Sequence, residues 1–161
     1  MRAPLILCIA AALLTAGCRD SNGPEKAPAL VITTDSASYT RPAGWSNMGV
    51  EVGFTNNSSS TIWIASCGDG YASRPGTSPV LKVYGLQLIS YQTNPPTVGD
   101  VAALCDTAPA PYALTPGMAV RAEVVLTRTG RFAFSLPFSY DASGSYDQRT
   151  GSPDFVIVDG G

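Results

Sequence analysis

Histidine is absent from this chain. Its absence removes the side chain that most often serves as acid or base near neutral pH, and with it the commonest transition-metal ligand. Ser-His-Asp and Cys-His nucleophilic catalysis are excluded on the same ground. Charge is scarce as well: 14% of the 161 residues are Asp, Glu, Lys or Arg, and the formal net charge is −2. The ten cations are scattered, so no basic patch exists to neutralise a phosphate backbone, and nucleic acid is not an expected partner. Lys26 and Lys82 are the only lysines, too few and too poorly placed to suggest a Ser-Lys dyad. The twelve acids stand one at a time, mostly in loops, and do not read as the converging pair that a hydrolase needs. There is no C-x-x-C motif. No catalytic residue, no metal and no cofactor is therefore assigned.

Long apolar runs are missing too. The run at residues 5–14, behind the short basic start Met1-Arg2, is too short to span a bilayer as a permanent helix. It has the layout of a secretory signal peptide. It closes on Leu14-Thr15-Ala16-Gly17-Cys18, which resembles the bacterial lipoprotein signal, with small residues before a cysteine that becomes the lipidated first residue. Thr15 departs from that pattern, where Leu is commonest. An ordinary signal peptide, cut near Ala16 or Gly17, is the alternative. The resemblance implies that residues 1–17 are removed and that Cys18 carries a lipid holding the protein to a membrane of the bacterial cell envelope. Arg19, where an Asp would favour inner-membrane retention, implies the outer membrane. Residues 18–29 are polar and rich in turn formers, and read as a flexible tether.

On that reading Cys8 is discarded and Cys18 is consumed by lipid. Cys67 and Cys105 remain in an oxidising compartment and are expected to form one disulfide. Closing the 38-residue separation contributes about 4 kcal/mol on a chain-entropy basis.

The remainder, residues 30–161, is rich in helix breakers, with 16 Gly and 13 Pro in the whole chain. Its apolar residues recur with period two. Val50, Val52 and Phe54 alternate with Glu51, Gly53 and Thr55, then the turn formers at 56–60 lead into a β-branched and aromatic run at 61–67. These two runs read as a hairpin, with Ile62 and Ile64 on one face and Trp63, Ala65 and Cys67 on the other. Trp63 is expected in the core. Further strands are expected at 30–34, 80–84, 86–91 (with a bend or bulge at Gly85), 118–126, 131–138 and 155–158. Residues 35–46 read as irregular or edge, and 68–79, 92–111 and 139–153 as loops, with one helical turn allowed at 101–104. Seven to eight short strands without a helix predict an all-β, antiparallel β-sandwich.

The T-I-W-I-A-S-C segment at 61–67, Leu114-Thr115-Pro116-Gly117 and Gly130-Arg131-Phe132 carry a family likeness. The chain resembles the immunoglobulin-like domains of exported bacterial lipoproteins of unknown function and, more loosely, immunoglobulin-like proteinase inhibitors. It departs from antibody domains, because neither the 50–55 run nor the Phe132 run carries a cysteine. The resemblance implies an immunoglobulin-like fold and a non-enzymatic binding or interaction module at the envelope, facing an envelope or extracellular protein partner. The alternative is an inhibitor of an exported proteinase that inserts its 92–111 loop.

Loops on a rigid sandwich commonly carry binding, and Tyr supplies contact area at low entropic cost. Tyr91, Tyr112, Tyr140 and Tyr146 are the candidate binding residues, on or beside the loops 92–111 and 139–153. Their competing role is to cover the ends of the core. Asp141-x-Ser143-x-Ser145-x-Asp147 has the alternate oxygens of a calcium loop, but Tyr146 stands where the sharp turn needs Gly and no closing Glu follows. A polar turn is the better reading. Asn56 and Asn57 both begin N-x-S sequons, which in this setting read as turn chemistry.

Overall fold

The computed structural model describes residues 27–69, 80–101, 105 and 108–161. The expected signal peptide, Cys18 and most of the expected tether fall on residues 1–26, which lie outside the described residues, as do most of the expected 68–79 loop and the 102–104 part of the allowed helical turn.

Twelve strands and no helix form among the described residues. They are β1 (Leu30–Thr34), β2 (Ser38–Arg41), β3 (Met48–Asn56), β4 (Ile62–Asp69), β5 (Leu81–Val83), β6 (Gln87–Ser90), β7 (Thr97–Asp100), β8 (Ala110–Leu114), β9 (Ala119–Leu126), β10 (Gly130–Phe138), β11 (Gln148–Gly151) and β12 (Phe155–Asp159). The count exceeds the expected seven to eight because β2, β7, β8 and β11 form in segments that read as irregular or loop. β7 is exposed along its whole length and β11 nearly so. Such strands show no apolar alternation, and their order comes from pairing with a buried neighbour. β7 forms a hairpin with β6, and β11 lies along the end of β10.

Three sheets result. The first has the order β1-β3-β9. The second has the order β2-β12-β10-β6-β7, with β11 also on β10. A small third sheet, β5-β4-β8, bridges to the other two through Val80↔Arg121 and Trp63↔Ser139. Every strand pair is antiparallel except β2 with β12. The first two sheets make an immunoglobulin-like sandwich in which β1, β3 and β9 stand as A, B and E, and β6, β10 and β12 as C, F and G. The place of strand C is therefore held by β6.

The core is continuous across the sheets. Val50, Val52 and Phe54 of β3 and Val120, Ala122 and Val124 of β9 are buried with Phe132, Phe134 and Leu136 of β10. The Phe134 and Phe155 rings stack with centroids 5.0 Å apart. Each such side chain removed from water contributes about 1.5–3 kcal/mol of gross stabilisation.

The expected hairpin between the runs at 50–55 and 61–67 is not formed. β3 is flanked by β1 on one side and by β9 on the other, so it has no free edge for β4. Residues 57–61 instead arch from the first sheet to the third. Asn56, fully buried, anchors the arch. Its amide donates to the Leu114 carbonyl (2.7 Å) and the Ser60 carbonyl (2.8 Å), and its Oδ1 accepts from the Ser58 amide (2.9 Å) and hydroxyl (2.7 Å). Trp63 is half-buried, outside the core. Ile62 and Ile64 are fully buried on the inward face of β4, and alternation turns Trp63 outward. Cys67 and Cys105 are bonded, with Cα atoms 5.2 Å apart, an ordinary separation for a disulfide.

Candidate binding groove

The third sheet and the second do not merge, and the seam between them is the candidate site. Antiparallel pairing of β4 with β8 sets Pro111 opposite Ala65. Tyr84 follows β5, and its amide donates to the Ala65 carbonyl at 2.9 Å. Gly85 then turns the chain with φ of +77°, the left-handed region open to a residue without Cβ. A Cβ there would lie 3.6 Å from Cγ of Pro137, so the bend rests on the proline ring. Pairing of β10 with β6 stops at Ser135↔Gln87. Pro137, which has no amide hydrogen, sits just past that stop, where no ladder bond is lost.

The turn after β10 closes the seam. The Ser143 amide donates to Asp141 Oδ1 at 2.6 Å, and the Asp141 amide donates to the Ser139 hydroxyl at 3.0 Å. Gly144 has φ of +82°. Tyr146 Cε2 lies 3.9 Å from where a Cβ on Gly144 would stand, so the ring covers this turn. Burial pushes the Tyr146 phenol above its usual range, and it stays a hydrogen-bond donor at any physiological pH.

The result is a groove of about 420 Å³ walled by Tyr84, Tyr146, Pro109, Pro111 and Pro137 over Ala65. Its size falls within the range of small-ligand and peptide pockets. Among the described residues that line it, none is charged. A second hollow of about 360 Å³ lies between the β6–β7 hairpin and residues 125–128. It presents no tyrosine, and it carries Asp100 and Arg128.

The four nominated tyrosines do not form one site. Tyr146 lines the groove. Tyr140 is half exposed and packs edge-on against Phe138, with ring centroids 5.8 Å apart. Tyr112 packs against the core, one position along β8 from Pro111 and hence on the opposite face. Tyr91 lies beyond β6, where Arg131 stacks over its ring at 5.4 Å and pairs with Asp154. Tyr84 and Pro137 are the groove residues that sequence reasoning missed, whereas Pro109 and Pro111 fall in the nominated 92–111 loop. The available signal was Tyr84 beside the turn-forming Gly85, and a proline inside the strongest strand. The Asp141–Asp147 stretch is a hydrogen-bonded turn, and among the described residues no three His, Cys, Asp or Glu side chains gather to hold a metal. Of the two sequons, Asn56 is buried and Asn57 exposed.

No family model and no curated protein matches the chain.

Proposed function

We propose that the protein is a non-enzymatic binding module, held at the bacterial cell envelope by lipid on Cys18 and engaging a partner through the Tyr84–Tyr146 groove. One observation carries the reading. Two tyrosines and three prolines from different elements converge on a groove whose described walls carry no charge, whereas a chain without histidine lacks the usual imidazole base. Partly exposed aromatic rings on a rigid frame lose little entropy on docking. The test is a crosslinked pull-down from intact cells with the full lipidated chain against a Tyr84→Ala/Tyr146→Ala form. A defined partner retained by the parent and lost from the variant supports the reading, and equal recovery by both rejects it. In parallel, Cys18→Ser should move the protein from the membrane to the soluble fraction.

A second reading, inhibition of an exported proteinase, rests on a different feature. Residues 91–100, covering the hairpin tip and all of β7, are exposed throughout, and an extended, presented segment suits a strand-like contact with a cleft. Stoichiometric inhibition abolished by Gly-Ser replacement of residues 93–96 would establish it.

A further inference from the structure

We infer that the groove's ligand is an uncharged, proline-rich segment in the polyproline II conformation, an inference that rests on the binding-module reading above. Charge is the first discriminator. The chain carries 22 ionisable Asp, Glu, Lys and Arg side chains in all, ten basic and twelve acidic, yet the described walls of this groove contain none. A charged ligand would lose hydration there and meet no counter-charge among the described walls. Polarity is the second. The side-chain hydroxyls on the walls are those of Tyr84, Tyr146 and Ser143. A sugar presents several hydroxyls per ring, and the three side-chain hydroxyls of the described walls can pair directly with few of them.

A proline-rich strand has the complementary inventory. It has few amide donors, its carbonyls accept, and its pyrrolidine rings are apolar. Tyr84 and Tyr146 offer ring faces for those pyrrolidines and phenolic hydrogens for those carbonyls. A polyproline II segment also arrives already ordered, so docking costs it little entropy.

The experiment titrates the full chain in detergent micelles with two probes, decaproline and chitohexaose, and follows the ring resonances of isotope-labelled tyrosines. Decaproline should shift Tyr84 and Tyr146 and leave Tyr91 unmoved. Tyr84→Ala, at a half-exposed position outside the core, should weaken decaproline by about tenfold. Tyr84→Phe, which keeps the ring and removes the hydroxyl, should fall between. If chitohexaose shifts these rings and decaproline does not, the peptide inference is overturned and the binding module stands. If neither probe shifts them, the inference fails; equal partner recovery by the groove variant in the pull-down would then remove the binding-module reading as well.

Discussion

Tyr39 and Trp45 are the two large residues of the irregular stretch 35–46, and pairing alone separates them. β2 pairs with β12 and sets Tyr39 opposite Ile157, so Tyr39 is 5% exposed whereas Trp45, outside any strand, is 64% exposed. The Tyr39 hydroxyl donates to Asp35 Oδ1 at 2.6 Å and accepts from the Ser36 amide at 3.1 Å. Asp35 Oδ1 also accepts from the Glu51 amide at 3.1 Å, which ties this edge to β3. Burial, followed by the bond to Asp35, pushes the Tyr39 phenol up from 10.0 to about 12. The folded state therefore holds this proton more tightly than the unfolded chain. The stabilisation is fully present below pH 10 and is lost as pH rises through about 12. Tyr39→Phe should flatten the alkaline loss of stability seen in urea melts between those pH values, and a parallel decline in both proteins would contradict the assignment.

At the scale of elements, β3, β9 and β10 were legible because their apolar residues alternate in the sequence; β3 and β9 bury one face, and β10 is buried on both faces over 132–136. β7 and β11 were not, since a strand exposed on both faces has the composition of a loop. Period two also fixes only which face a residue occupies; it does not name the neighbouring strand. For that reason the 50–55 and 61–67 runs read as partners although β1 and β9 already occupy both edges of β3. The Cys67–Cys105 bond was legible from cysteine arithmetic. It joins β4 to a residue outside every strand, and neither cysteine belongs to the hydrophobic cluster that holds the sandwich. Replacing both by serine should lower stability by about 4 kcal/mol at most while leaving the native β spectrum intact. An unchanged denaturation midpoint would show that the bond constrains nothing. Thiol titration of the unfolded, unreduced protein should find neither cysteine free.

Across the whole molecule, the groove arises where a small third sheet meets the larger sandwich. Pro111 arrives on β8, Pro137 on β10, and Tyr84 at the crossing between β5 and β6. Parts of this were visible in advance, because Tyr146, Pro109 and Pro111 all fall in the two segments nominated for binding. The rest was not, because Tyr84 and Pro137 sit in runs that read as strands, and only the tertiary crossing turns them to a common space. Tyr91, Tyr112 and Tyr140 carry the same chemistry in the sequence, but they spend it on Arg131, the core and Phe138. The most direct measurement is photocrosslinking in intact cells from a benzophenone side chain placed at position 84, at 146 or, as the control, at 91. The account predicts one shared adduct from 84 and 146 and none from 91. An adduct from 91 alone would place the contact on the β6–β7 hairpin and contradict the groove.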